Sequence, residues 1–511
     1  MAKPSFVIVG GTPESLSLSD SASAALGAAI GAAKPAPAET PRPAPVMTEH
    51  EGSIGGKAVR YRATAGFLPV RDGGEGKTKA EMFFVAYELI GVDQAERRPV
   101  SFVFNGGPGS SSVWLHMGAL GPKRVQLDPE GRPLPGPGKA IDNDQSWLDL
   151  TDLVFIDPVS TGLSRAATGE DAKQFHTLED DVKSFGEFIR LYLTRQQRWM
   201  SPKFLVGESY GATRAAALAK HLQSDLGIFV AGITLVSPAL DFQLLSFDHG
   251  NDIAHVLFLP TYAATALYHG LVKPAAGSSA ADLIKVVEKF AIERYLPALA
   301  MGASLPVKDA ESICGVLASF TGIDAAVWRR KHLRIRDDEF FRELLRDRAT
   351  VVGRLDTRFT CSEITRPPTD INADPSYAAV VGAFSTALHS HLLGTLKYVV
   401  DTKYEILFVN TEHWNFNAPN RYVSTSPHLL CALIDNPQLR VHVCAGWYDA
   451  ATPHFAADFS VSHLAMQPGL KERITTTYYE AGHMVYTRAA ELVNFKKNAA
   501  VFYASAAPET P

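Results

Sequence analysis

The sequence predicts an α/β fold with a mainly parallel central sheet and a helical insertion. Three observations carry this. Strand-like runs alternate with helical periods between residues 81 and 237, as in a sheet built from βαβ units. The pattern then turns predominantly helical from 241 to about 400, as in Ala281–Tyr295 and Asp337–Asp347. Strand-like runs return at Tyr404–Asn410 and Arg440–Ala445. The expected plan is a leader over 1–45, a first core segment over 46–240, a helical cap over 241–400 and a second core segment over 401–511.

The leader is rich in Pro and Ala and ends in KPAPAETPRPAP, from Lys34 to Pro45. Such a run favours an extended, unpacked chain, so disorder is expected. A signal peptide needs a basic start, an apolar stretch and a small-residue cleavage site. Lys3 is the only early base, and the longest apolar stretch, Ala24–Ala33, is mostly Ala and Gly behind Glu14 and Asp20. There is no clear export signal. Retention in the cell is the default reading, with a degenerate export signal or a misplaced start as the alternative.

From residue 46 the chain reads as globular. Glu81–Ile90, Val100–Asn105 and Leu150–Asp157 read as strands, rich in aromatic and β-branched residues. Thr177 opens a helix, with Asp180 three residues on resembling a capping box. Leu178, Val182, Phe185, Ile189 and Tyr192 fall on one face of that helix. Lys203–Val206 is a short strand, Tyr210–Leu222 an Ala-rich helix and Ala231–Ser237 a further strand.

Composition narrows the function. The 511 residues are 46% hydrophobic and 20% charged, ordinary for a soluble globular chain. Net charge is 49 − 54 = −5, without the clustered Lys and Arg of a nucleic-acid binder. No stretch approaches the ~20 apolar residues that span a bilayer. Cys314, Cys361, Cys431 and Cys444 form no CxxC pair and have no His at zinc-ligand spacing. One or two bridges are compatible with them, as are free thiols. Cys444 lies in an apolar run and reads as core. His389 and His391, two apart, point away from each other on a helix and make no metal pair. Arg329–Arg334 precedes Asp337–Glu339 and reads as a solvated helix surface.

The chemistry concentrates in a few loops. Gly207-Glu208-Ser209-Tyr210-Gly211 lies between a strand and a helix, the setting of a nucleophile elbow. An activated Ser needs a base, and the base an orienting carboxylate. Asp449 and His483 each follow a strand, after Arg440–Ala445 and Thr475–Tyr479, in the chain order Ser, Asp, His of α/β-hydrolases. His454 and His463 also follow Asp449, but His454 is only five residues beyond it in a Pro-containing loop, so His483 is the expected base. Asn105-Gly106-Gly107-Pro108-Gly109 directly follows a strand. Consecutive glycines there can turn backbone N–H groups into a cavity, as an oxyanion hole requires.

With Asp157-Pro158-Val159-Ser160-Thr161-Gly162-Leu163-Ser164 and Gly482-His483-Met484, these motifs stand in the order seen in serine carboxypeptidases, which the chain resembles over roughly residues 80–500. The resemblance implies an α/β-hydrolase fold with Ser209, Asp449 and His483 as catalytic triad. It implies oxyanion-hole N–H groups at Gly107 and Tyr210. It also implies recognition of a substrate's terminal carboxylate by Asn105, Glu208 and the backbone of Gly106. Ser110 stands where eukaryotic secretory members often have Cys, and Ser160 where Gly is frequent. The helical insertion, with Gly353-Arg354-Leu355-Asp356 and Asp374-Pro375-Ser376, looks like the bacterial branch. The implied activity is serine-type carboxypeptidase hydrolysis of peptides, with no metal and no organic cofactor. An esterase or acyltransferase, or a binding protein on the same fold, are the alternatives. P1′ preference and oligomeric state are not encoded in these motifs.

Overall fold

A computed structural model describes residues 43–71, 73, 76–273, 279–363, 373–408 and 414–507. The chain divides into Met1–Pro43 and the compact unit Ala44–Pro511. Residues 1–42 of the expected leader lie outside the described residues; the last three, 43–45, run into the first strand.

The fold is that of an α/β-hydrolase. Among the described residues ten strands form one sheet, in the order Val46–Ile54, Lys57–Arg71, Thr78–Leu89, Asp152–Ile156, Val100–Phe104, Lys203–Glu208, Gly232–Val236, Arg440–Gly446 and Ile474–Tyr479, with Arg165–Ala166 beside Thr78–Leu89. The first three strands are antiparallel, and from Asp152–Ile156 onward every neighbouring pair is parallel. Central strands such as Val100–Phe104 and Gly232–Val236 are buried along their whole length, because helices cover both faces.

Those helices bury the faces their spacing marks. In Leu178–Arg195, Val182, Phe185, Ile189 and Tyr192 all pack into the core on one side of the sheet. Thr177 caps this helix, accepting from the Asp180 N–H at 3.0 Å. The reciprocal half of the expected capping box is absent. The Asp180 carboxylate takes the Thr177 hydroxyl at 2.8 Å rather than the cap's backbone N–H. On the other side of the sheet, Ala489–Ala506 lays Phe495, Ala499 and Tyr503 against Trp147 and Phe204.

The described residues of 253–345 form a helical body with its own apolar core, which includes Tyr262, Tyr295, Leu317, Trp328 and Phe340 and reaches Ala450 of the main body. A short hairpin follows, Thr350–Val352 against Thr360–Ser362, and then the helix Pro375–Ser390.

Two expectations are corrected. Of the expected strand Tyr404–Asn410, the described residues 404–408 are not a strand. They make isolated bridges, Glu405 to Gly162 and Leu407 to Ser110, because the segment lies across two loops and not beside a sheet edge. The basic stretch is only partly solvated. Arg329 and Arg330 are exposed, but Arg334 makes a two-pronged ion pair with Asp252 at 2.7 and 2.8 Å. The described structure leaves all four cysteines free, Cys314 and Cys444 buried.

Strand register places the chemistry. Phe104 pairs with Gly207, Glu208 with Val236, Val236 with Cys444, and Gly446 with Tyr479. The carboxyl ends of these strands therefore align, and the loops leaving them collect at one edge, where ligands of parallel sheets bind.

Candidate active site

Ser209 leaves its strand at φ 62° and ψ −126°, and the next residue, Tyr210, already begins the helix Tyr210–Leu226. This strained turn lifts the serine side chain off the sheet edge. The chain around it packs backbone to backbone. A Cβ on Gly207 would come within 2.1 Å of the Gly211 carbonyl, and one on Gly106 within 2.4 Å of the Tyr210 nitrogen. The Asn105–Gly109 loop is thus pressed directly onto the elbow. Among the described residues the N–H groups of Gly107 and Tyr210 have no protein acceptor. Tyr210 is the first residue of its helix, where an N–H has no partner within the helix.

His483 and Asp449 meet across adjacent strands. His483 Nδ1 donates to Asp449 Oδ2 at 2.8 Å. Asp449 is fully buried, and its other oxygen accepts the N–H groups of Ala451 at 2.8 Å and Thr452 at 2.9 Å. The Thr452 hydroxyl lies 2.8 Å from Asp449 Oδ2 and 3.2 Å from His483 Nδ1. Burial pulls the His483 ring down, but the charge and hydrogen bond of Asp449 outweigh it and hold the ring above its ordinary pKa. With Nδ1 tied to Asp449, Nε2 is left for a reacting group.

Ser209, His483, Asn105, Gly106, Gly107, Glu208 and Tyr210 all line one cleft of about 720 Å³. Among the described residues no hydrogen bond joins Ser209 to His483, a contact that is often loose before substrate binds. The two rejected histidines lie elsewhere: His454 pairs with Glu288 at 3.0 Å, and His463 is exposed.

Glu208 is 3% exposed, and burial pushes its carboxyl up to about 7, against the pull of His483 and of hydrogen bonds from Tyr486 and Asn105. Asn105 is held from two sides. Its Oδ1 accepts the Leu115 N–H at 3.0 Å, and its backbone carbonyl accepts from the buried Arg214 at 2.7 Å. With Oδ1 occupied, the amide N–H₂ is the end free for the carboxyl. Asp157, of the Asp157–Ser164 motif, accepts the Ser112 N–H at 2.9 Å and so ties that motif to the end of the glycine loop.

Thr452 and Tyr486 escaped the sequence reading, and Arg354 and Leu355, noted there only as part of the insertion motif, were not placed at the site. Tyr486 donates to Glu208 at 2.7 Å, while Arg354 and Leu355 line the cleft from the cap side. Thr452 and Tyr486 each sit three residues beyond a triad residue, which is the only sequence signal they carry.

The sequence profile of the serine carboxypeptidase family matches residues 54–235. The pheromone-processing carboxypeptidase KEX1 of Coprinopsis cinerea is 31% identical over 205 residues, 38% of this chain and 32% of that protein. Serine carboxypeptidase-like 38 of Arabidopsis thaliana is 28% identical over 204 residues, 38% of each chain. The matches thus span about a third of these curated relatives, which are fungal and plant proteins and lend no support to a bacterial branch. The crystal structure of the Saccharomyces cerevisiae prohormone-processing carboxypeptidase is similar in fold, with a TM-score of 0.55 at 18% identity, covering 86% of this chain and 91% of that one.

Proposed function

We propose that this chain belongs to the serine carboxypeptidase family and releases the C-terminal amino acid of peptides by serine acyl transfer. The observation that carries this is Glu208. A carboxyl kept neutral up to about pH 7 sits beside the nucleophile, with Asn105 at its side. A neutral carboxyl can donate a hydrogen bond to a substrate carboxylate, whereas an ionised one would repel it. An esterase has no need of such a group.

In this reading His483 Nε2 takes the proton of Ser209, whose oxygen attacks the last peptide carbonyl. Asp449 keeps the ring oriented and stabilises its charged form. The N–H groups of Gly107 and Tyr210 hold the oxyanion, each such donor being worth on the order of a hundredfold in rate. His483 then protonates the leaving amino acid. Water, deprotonated by the same ring, releases the acyl group. Asn105, Glu208 and the Gly106 backbone hold the terminal carboxylate. No step calls on a metal or an organic cofactor. Assignment to the bacterial branch rests on the cap segments Gly353–Asp356 and Asp374–Ser376 alone.

The test is fluorophosphonate labelling followed by turnover of a blocked dipeptide and its C-terminal amide. Labelling of Ser209 with release of the free amino acid, and preference for the acid over the amide, is expected. Labelling with turnover of simple esters only would favour the esterase or acyltransferase reading. No labelling and no turnover would favour a binding protein.

A further inference from the structure

Gly353–Asp356 and Asp374–Ser376 meet in space, and the triad reading uses neither. Asp374 is 1% exposed and caps the helix Pro375–Ser390, whose Val380, Phe384, Ala387 and Leu388 are buried in the main core. Its Oδ1 accepts the Ser376 N–H at 2.7 Å and also the Ser376 hydroxyl. Its Oδ2 accepts two further N–H groups, of Arg354 at 2.9 Å and Leu355 at 3.0 Å. Both belong to the loop of the hairpin Thr350–Ser362.

The opposite sides of those same two residues touch the triad loops. The Arg354 carbonyl accepts the N–H of Ala450, next to Asp449, at 3.1 Å. The Leu355 carbonyl accepts the N–H of His483 itself at 2.7 Å. Thr357 completes the brace, its N–H donating to the Tyr448 carbonyl at 3.0 Å. Asp356 closes the loop, pairing with the buried Arg358 at 2.7 Å and donating its N–H to the Ser376 hydroxyl at 3.2 Å. The hairpin has only three paired positions, too few to fix a seven-residue loop by themselves.

We propose that Asp374 is a positioning residue: through Arg354 and Leu355 it holds the Asp449 and His483 loops in register with each other. A carboxylate suits the task because these four donors and the Tyr377 N–H, 3.4 Å from Oδ1, can all be met only by an acceptor at both oxygens. It stands on the cap of a core-anchored helix, so its position is set by the rigid body. The inference rests on the reading of Ser209, Asp449 and His483 as a triad.

Asp374→Asn tests it. Whichever oxygen becomes an amide, its donors then face a donor. The charged groups facing His483 are Asp449, Glu208 and Arg354, and Asp449 is the one that raises its pKa most. Loosening the Asp449–His483 bond should therefore move the acid limb of kcat to lower pH. We expect kcat to fall 10- to 100-fold for a blocked dipeptide, KM to change less than about threefold, and fluorophosphonate labelling to slow in parallel. Ser376→Ala removes one donor to Asp374 and the acceptor of the Asp356 N–H. It should shift the same limb in the same direction with a smaller loss of kcat, and it carries the test if Asp374→Asn does not fold. A folded variant with wild-type kcat and an unmoved acid limb overturns the proposal. Ser209→Ala, measured alongside, separates the two readings: retained turnover there would remove the triad itself, whereas an inactive Ser209→Ala with a normal Asp374→Asn would remove only the positioning role.

Discussion

The phenol of Tyr486 donates to Oε2 of Glu208 across 2.7 Å, and both side chains are buried. The two come from different segments, Glu208 ending the strand that leads into the nucleophile and Tyr486 lying in the loop after His483. A hydrogen bond to the ionised carboxylate favours that form, and here it works against burial, which favours the neutral one. Tyr486 therefore helps to set the pH at which Glu208 loses its proton.

Tyr486→Phe should push the Glu208 carboxyl further above 7, because one of the interactions favouring its charged form is removed. KM for free-acid peptides, which rises as Glu208 ionises, should begin its rise at higher pH than in wild type. A KM–pH profile superimposable on wild type would show that the phenol does not tune this carboxyl.

Ser209→Ala should abolish turnover and change stability by less than about 1 kcal/mol, since a hydroxyl at the cleft is lost and no core packing with it. Ser209→Gly should also be inactive, yet more stable than Ser209→Ala by about 1 kcal/mol. Residue 209 sits at φ 62° and ψ −126°, where a Cβ is strained and glycine is not. Thermal melts of the two variants check this. Equal midpoints would mean that the elbow stores no strain.

Thr452→Val should lower kcat about tenfold with little change in KM. The hydroxyl touches both Asp449 and His483, and a buried polar contact of this kind is worth roughly 1–3 kcal/mol. Thr452→Ser, which keeps the hydroxyl, should recover most of the rate. Steady-state kinetics on one peptide suffice, and an undiminished kcat in the valine variant would rule the contact out of the mechanism.

The elbow and the order Ser, Asp, His could be read from the chain because each needs a particular residue in a particular local setting. Gly207 and Gly211 flank the serine since nothing larger fits where strand and helix touch. The opening hairpin, Val46–Ile54 with Lys57–Arg71, was readable but missed. Its half-buried positions carry Thr48, His50 and Gly52, which hide the alternation, although Gly55-Gly56 at positive φ marks the turn. Tyr404–Asn410 misled in the opposite sense. The described aromatic and β-branched residues there, Tyr404, Ile406 and Phe408, serve loop packing, Tyr404 reaching Asp157 at 3.1 Å. Asp374 before Pro375 reads locally as a helix cap, but neither it nor Tyr486 carries a local signal of its link to the site. Their partners lie about 20 and 278 residues away, at Arg354 and Glu208, and only the folded chain brings them together.

The Glu208 carboxyl makes the sharpest prediction, because it links substrate choice and stability to the same proton. Below about pH 7 it is neutral and donates to a substrate carboxylate; above, it is charged and repels it. KM for a free-acid peptide should therefore climb with pH above about 7, approaching tenfold per unit, while the matched amide escapes. His483 acts in the opposite sense. Its pKa is raised, it works as a base only when neutral, and so kcat should rise with pH for both substrates. The acid should show a bell in kcat/KM and the amide a plateau. Stability follows with a definite sign. The ordinary value for Glu208 is 4.5 and the folded value about 7, so the folded state holds the proton more tightly. Its stabilising contribution is complete below about 4.5 and is lost as pH rises through 7. Glu208→Gln removes that loss, and its stability relative to wild type should grow by a few kcal/mol between pH 4 and pH 8. The same variant, donating an amide N–H at every pH, should flatten the KM profile. Denaturant melts at the two pH values and KM profiles for acid and amide check both halves. A stability difference that does not change with pH would mean that Glu208 titrates in the folded protein as it does in the unfolded chain, and parallel acid and amide profiles would remove it from carboxylate recognition.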